Sequence, residues 1–351
     1  MTEDRRETGD RARPSRRRVL RLLAGGGAAT LAGLLHRPKA AFASDRAIVR
    51  WQGRALGADA EIVLHHGERT RAEAALAAVI AEVRRLEAVF SLFRPDSALS
   101  RLNREGRLDP APTDLADLLA LCRKVHAASD GAFDPTVQPL WELYAAHFAA
   151  ADADPAGPSE AALSDVRARV GLEKLRTGGG RIAFAVPGMA VTFNGAAQGY
   201  ITDRACGILA RAGLAHALVD LGEYRALGSR PTGSPWRIGI ADPVAPWRLI
   251  ERITLEAGTA VATSAGAGAP FDAAMRHHHI FDPHSGRSAQ AWRSVSVLAP
   301  TAALADALST AIAAAPADRA RRILAAFPGT RAILYDRRER LTRVSAAAAG
   351  G

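Results

Sequence analysis

Aromatic side chains are scarce, at 5% of the 351 residues, so a core must be filled mainly by Ala, Leu, Val and Ile. There are only two cysteines, Cys122 and Cys206, which excludes a disulfide-dense scaffold or a cysteine-rich zinc fold. Both lie in helical-looking apolar stretches and are expected as buried thiols, each packing as a small hydrophobe. Beyond residue 44 there is no internal repeat and no apolar run of the ~20 residues that crosses a bilayer. A basic stripe is missing as well. The net charge of +10 suggests nucleic acid at first sight, but residues 1–43 hold ten Arg/Lys against four Asp/Glu. That leaves a surplus of only four for the rest of the chain, too little for a nucleic-acid footprint. What is present is an ordinary globular balance, 48% hydrophobic and 23% charged, with ample length for a sizeable core.

The first 43 residues read as an address label. Arg16, Arg17 and Arg18 precede Val19, Leu20 and Arg21, then a weakly apolar run from Leu22 to Leu35 follows, diluted by Gly25, Gly26 and Gly27. Ala41-Phe42-Ala43 offers the small-x-small pattern of a cleavage site, with Ser44 as the first mature residue. The pattern resembles a twin-arginine leader, which implies export of a folded protein to the periplasm and a mature chain that does not span the membrane.

Residues 44–346 are expected to form one α+β unit, with 347–351 a flexible tail. Ala47–Leu64 is strand-like, and Ala, Leu and Val recur at helical spacing over Arg69–Phe90. Further helices are expected over Asp114–Ala128, from Pro135 to about Ala150, and after Ser159. Ala190–Phe193 and His278–Phe281 read as strands, Gly199–Ala212 as a helix, and Thr301–Ala315 and Ala317–Phe327 as helices. Without a regular βαβ period, a mixed sheet core with a helical lobe over 69–170 fits better than a doubly wound sheet.

Several stretches carry chemistry-bearing residues. Phe90-Ser91-Leu92-Phe93-Arg94-Pro95-Asp96-Ser97 reads as a loop leaving a helix, its serines bonding local backbone. In Asp130-Gly131-Ala132-Phe133-Asp134-Pro135-Thr136-Val137, glycine permits close approach of a ligand and Asp-Pro signals a turn into a helix. Thr192-Phe193-Asn194-Gly195-Ala196-Ala197-Gln198-Gly199-Tyr200, with Asp203, is a small-residue turn opening a helix. Its amides offer an anion site, although neither dinucleotide nor P-loop spacing is met. Asp306 and Thr310 stand at i and i+4, so a carboxylate and a hydroxyl share one helix face. Such hard oxygens suit Mg²⁺, while the same pair also occurs on solvated faces. The run His277-His278-His279 has no second His/Cys cluster to close a zinc site; a single working imidazole is the better reading.

In combination these stretches resemble the ApbE family, the FAD:protein FMN transferases. The resemblance rests on F-S-L-F-R-P-D-S-A-L-S-R-L-N, D-G-A-F-D-P-T-V, N-G-A-A-Q-G-Y-I-T-D-R, H-H-H-I-F-D-P-H-S-G and A-D-A-L-S-T-A, in that order. It implies a fold like that of the family and an activity in which Mg²⁺-dependent cleavage of FAD attaches FMN to a Thr or Ser of an acceptor flavoprotein, releasing AMP. Leu56 and Phe93 would flank the flavin; Ala132, Phe133, Asp134 and Ile280 would line the FAD site. Asp306, Thr310 and the Gly195 carbonyl would hold Mg²⁺, and His279 and Asp282 would act in catalysis or orientation.

Two positions depart from the family's usual pattern. Thr192 and Gln198 stand where aspartate and lysine are common, a swap that removes one charge of each sign from the FAD contacts. The N-G-x-A-Q-G-Y-x-T-D form resembles a branch that travels with nitrous-oxide respiration, which implies a membrane-associated redox protein as acceptor. Transfer to water, giving an FAD pyrophosphatase, and FAD binding without turnover are the rival readings.

Overall fold

The computed structural model describes residues 47–346. The expected leader over 1–43, its cleavage before Ser44 and the tail over 347–351 lie outside the described residues. Eight antiparallel strands form the central sheet, and their spatial order is their chain order. They are Ala47–Ala55, Ala58–His66, Ala217–Asp220, Tyr224–Leu227, Ala260–Ala265, Trp292–Ala299, Arg331–Asp336 and Leu341–Ser345. Everything else is inserted between consecutive strands of this meander.

The insertions cover the two faces separately. Helices Arg69–Phe90, Ala197–Arg211 and Ala302–Ala314 lie on one face, against inward side chains such as Ile62, Leu64, Val295 and Val297. A hairpin, Trp236–Ala241 with Leu249–Leu255, packs Trp236, Ile238, Ile240 and Leu255 onto the other face, against Ala226, Val261, Leu298 and Ile333. Adjacent residues such as Val297 and Leu298 thus serve opposite cores, as the period-two pleat requires. The helical lobe expected over 69–170 is present, with helices Ala98–Glu105, Thr113–Ala128, Gln138–His147 and Glu160–Arg167 beyond the long first one. A satellite core of Leu140, Tyr144, Leu163, Val166, Val170 and Phe281 ties its far end to the later strand region.

The α+β class is as expected; three local readings are corrected. Ala47–Leu64 is a hairpin rather than one strand, turning at Leu56 (φ 47°) and Gly57 (φ 87°). The apolar alternation shifts phase at Ala55-Leu56, from Val49, Trp51 and Ala55 to Ala58, Ala60, Ile62 and Leu64, without an Asn-Gly pair to mark the turn. Ala190–Phe193 is irregular, because the Asn103 side chain takes the place of a neighbouring strand. Its Nδ2 donates to the Val191 carbonyl at 2.9 Å and its Oδ1 accepts the Val191 N–H at 2.8 Å. His278–Phe281 supplies only an isolated bridge at His278 and the two-residue strand Phe281–Asp282. Both cysteines are buried and free. Among the described residues no helix is long and apolar enough to cross a membrane.

Candidate active site

The helix Ala302–Ala314 is the axis of the site. Ala-rich and almost wholly buried, it has small side chains that let it lie close to both sheet and neighbouring helix. Two devices fix its start. The Thr301 hydroxyl accepts the Leu304 N–H at 3.3 Å, and Asp203 accepts the N–H groups of Ala302 and Ala303 at 2.8 and 2.9 Å. These are free donors of a helix's first turn, where a carboxylate is favoured. Asp203 also pairs with Arg225, so the aspartate closing the N-G-A-A-Q-G-Y-I-T-D motif is a cap and not a ligand contact. Gly199 allows the close crossing of the two helices, since a Cβ there would lie 2.2 Å from the Ala302 carbonyl oxygen.

Asp306 points from this helix toward the first turn of Ala197–Arg211. It is 3% exposed, and its Oδ2 accepts the Gly199 N–H at 3.0 Å. The other oxygen accepts no hydrogen bond among the described residues. Burial pushes the carboxyl up to about 7, the response of an acid withdrawn from water. One turn on, Thr310 faces the Gly195 turn so closely that a Cβ on Gly195 would lie 2.8 Å from Thr310 Oγ1. The acid, the hydroxyl and the glycine turn are therefore contiguous.

The other stretches join this centre through hydrogen bonds. Thr192 N–H donates to the Pro135 carbonyl at 2.8 Å, and the Thr192 hydroxyl accepts from Asn194 N–H at 3.2 Å. Gln198 is seated against Gly222, where a Cβ would meet its Nε2 at 2.4 Å. The His284 ring nitrogen bonds the Asp130 carbonyl at 2.9 Å, linking the histidine-rich stretch to the Asp130–Asp134 loop. In that loop Ala132 and Phe133 are buried, and the Phe133 carbonyl meets His126 Nδ1 at 2.9 Å. Asp134 accepts from Thr136 N–H at 2.7 Å, Thr136 Oγ1 at 2.6 Å and Leu172 N–H at 3.0 Å. Its carboxylate thus shapes the loop, and burial still pushes its pKa up.

Phe93 and Leu56 flank the end of helix Arg69–Phe90. Phe93 is 50% exposed, on a loop whose Ser91 hydroxyl accepts the Phe93 and Arg94 N–H groups at 3.1 and 3.3 Å. Leu56 is half-buried, and its N–H donates to Glu87 Oε1 at 2.9 Å. An exposed aromatic on a pinned loop is suited to stacking on a planar ring.

His279 and Asp282 differ in availability. His279 has its Nδ1 buried with no hydrogen-bond partner, and burial lowers its pKa to about 4, so the ring is neutral at pH 7. Asp282 spends one oxygen on His284 N–H at 3.0 Å and the other on the Ser285 hydroxyl at 2.7 Å. It closes the turn between Phe281–Asp282 and Arg287–Ser288. Ile280, between them, is 6% exposed and joins the main core.

Glu223 was not among the residues that sequence reasoning selected. It is 8% exposed and its Oε2 accepts only the Thr263 N–H, at 3.3 Å. Burial first, then the charges of Asp306 and Asp220, push it well above the usual carboxylate range. A single Gly-Glu after a strand carries no motif; only the fold brings it beside Asp306.

Comparison with known proteins gives the family and the fold. The ApbE family pattern matches residues 56–334. The chain belongs to the ApbE family. It is 30% identical over 290 residues to the FAD:protein FMN transferase of Treponema pallidum, covering 76% of this chain and 79% of that one. To the Salmonella typhimurium FAD:protein FMN transferase it is 28% identical over 246 residues, 67% of this chain and 69% of the other. The apo structure of the Pseudomonas stutzeri flavinyl transferase ApbE superposes with a TM-score of 0.71 at 28% identity, covering 86% and 96% of the two chains. The Thermotoga maritima ApbE protein gives a TM-score of 0.74 at 26% identity, covering 85% and 97%.

Proposed function

We propose that this ApbE-family chain is a Mg²⁺-dependent FAD:protein FMN transferase, moving FMN from FAD to a Thr or Ser hydroxyl of an acceptor flavoprotein with release of AMP. The observation that carries the reading is the contiguity of Asp306, Thr310 and the Gly195 turn. Family membership and relatives named FAD:protein FMN transferase support the substrate.

The residues present fit the cation. Among the described residues no three His, Cys, Asp or Glu side chains gather as a metal site, so a soft or tetrahedral ion has no cage. Among the described residues Asp306 commits only its Oδ2 to a hydrogen bond, Thr310 offers a hydroxyl, and the Gly195 carbonyl adds a third hard donor. Mg²⁺ typically binds through one or two carboxylates plus substrate phosphates and retained waters. When bound, it would neutralise charge on the FAD diphosphate and polarise the P–O–P link.

The chain's own residues supply the rest. Phe93 and Leu56 hold the flavin, while Ala132, Phe133, Asp134, Ile280, Thr192 and Gln198 shape its surroundings. The acceptor hydroxyl oxygen attacks the FMN phosphorus, the bond to the bridging oxygen breaks, and AMP departs with that oxygen. Of the two candidates for catalysis or orientation, Asp282 is committed to its turn and His279 is a neutral ring, which makes His279 the better candidate to receive the hydroxyl proton. Thr192 and Gln198 carry no charge, so the diphosphate would rely on a bound cation and on backbone amides.

The leader-like residues 1–43 and the N-G-A-A-Q-G-Y-I-T-D form support a periplasmic enzyme that serves a membrane-associated redox flavoprotein. Incubation with FAD, Mg²⁺ and acceptor gives an SDS-stable fluorescent band and one AMP per FMN attached. Asp306→Ala lowers the rate at least about a hundredfold, the scale of losing a principal electrostatic contact to the transition state. An undiminished band from that variant overturns the metal assignment, and AMP released without labelled acceptor points to hydrolysis instead.

A further inference from the structure

Behind Thr310 lies a row of hydroxyl groups that the reading above does not use. Ser264, on the strand Ala260–Ala265, has its Oγ 3.1 Å from Thr310 Oγ1 and 2.7 Å from Ser309 Oγ. Ser309 is fully buried, and its Oγ lies 2.9 Å from the Asp306 carbonyl oxygen.

The direction of every proton in this row follows from counting donors. A carbonyl oxygen only accepts, so the Ser309 O–H donates to Asp306. Each hydroxyl has one proton and two lone pairs. Ser309 has none left for Ser264, so the 2.7 Å contact is Ser264 O–H donating to Ser309. Ser264 is then spent as well, and the contact to Thr310 is Thr310 O–H donating to Ser264. The row runs Thr310 to Ser264 to Ser309 to the main chain of Asp306, and it starts and ends on the same helix.

We propose that Ser264 and Ser309 are positioning residues that draw the Thr310 proton away from the Gly195 turn, leaving the Thr310 lone pairs aimed at the divalent cation. The inference rests on the metal site assigned above. It gives a physical reason for a threonine as ligand. A neutral hydroxyl is a weak donor to a cation unless its proton is anchored elsewhere, and a chain of hydrogen bonds polarises each member further. Partners behind a metal ligand, which fix its orientation and raise its basicity, typically alter affinity when removed.

The test is Mn²⁺ binding followed by electron paramagnetic resonance on the metal-free full chain, with melting curves taken with and without Mn²⁺. Ser264→Ala is expected to weaken Mn²⁺ about tenfold and to shrink the metal-induced rise in Tm. Ser264→Thr, which keeps a hydroxyl on a strand position tolerant of β-branching, is expected to restore affinity. Ser309→Ala removes none of the three proposed ligand atoms, yet it frees the Ser264 proton to turn onto Thr310. It should weaken Mn²⁺ several-fold, with the metal-free Tm close to the parent's.

Wild-type Mn²⁺ affinity in Ser264→Ala overturns the proposal, as does wild-type affinity in Ser309→Ala. Should Ser264→Ala fail to fold, the Ser309→Ala measurement decides alone. Asp306→Ala separates this from the parent reading. If it binds Mn²⁺ normally, the metal site itself is wrong; if it loses Mn²⁺ while both serine variants retain it, only the hydroxyl row is wrong.

Discussion

His278 is 4% exposed, clasped by Ser288, whose Oγ accepts the His278 N–H and donates to the His278 carbonyl, both at 2.8 Å. Gly266 leaves room for its ring; a Cβ there would lie 2.6 Å from Cδ2. Burial first, and the neighbouring His279 second, lower its pKa to about 4. The Ile280 N–H donates to its Nδ1 at 3.3 Å, which fixes the neutral ring as an acceptor there. Between the ordinary histidine value and about 4, the unfolded chain holds a proton that the folded chain refuses, so stability falls as pH drops through this window. Buried acids with raised pKa, such as Asp220 at about 6, act in the opposite sense, so the overall pH profile mixes both. The clean measurement is a difference. In urea denaturation the stability advantage of the parent over His278→Asn should shrink by about 2 kcal/mol between pH 7.5 and 5. Parallel pH curves for the two proteins would refute the assignment. Glu223 makes the complementary point at this scale. It became visible only in three dimensions, because nothing in a lone glutamate's neighbours marks it for burial beside another acid.

At the scale of elements, the crossing of helices Ala197–Arg211 and Ala302–Ala314 decides whether Asp306 meets its turn. Gly199→Ala would drive a methyl into the Ala302 carbonyl, which is backbone at a capped helix start and cannot rotate aside. Overpacking of this kind costs about 3 kcal/mol, and spreading the helices would also lengthen the Gly199 N–H contact to Asp306. Both a lower denaturation midpoint and weaker Mn²⁺ binding are expected; full stability with unchanged binding would show that the crossing is not set here. Helices were the legible part of the sequence. Arg69–Phe90 coincides with its apolar spacing, and Ser159 caps its helix as anticipated, accepting the Ala162 N–H at 3.3 Å. Strands were less so, for reasons of local chemistry. Leu56 turns a hairpin at positive φ without an Asn-Gly signal, and Asn103 imitates a strand edge for Val191. The motif residues were legible as a set, but their division of labour was not. Asp203, Asp134 and Asp282 spend both oxygens on caps and turns, whereas Asp306 spends one, on the Gly199 N–H.

At the scale of the whole molecule, the site draws on the first hairpin, the helical insertion and the helix between the last strands. Leu56 and Thr310 belong to opposite ends of the folded chain, and neither the proposed flavin cradle nor the proposed cation corner exists until the eight-stranded sheet has formed. An enzyme of this build that works outside the cytoplasm either folds there or leaves already folded. We propose the second route, because Arg16, Arg17 and Arg18 with the apolar run after them resemble a twin-arginine leader. Replacing Arg16, Arg17 and Arg18 together by Lys keeps the charge but removes the guanidinium pattern that a receptor reads, since the two side chains are not interchangeable in directed hydrogen bonding. The triple variant should remain in the cytoplasm at precursor length, while purified variant and parent transfer FMN at equal rates in vitro. Equal amounts of both proteins in the periplasmic fraction would show that the arginines are a basic tail and nothing more.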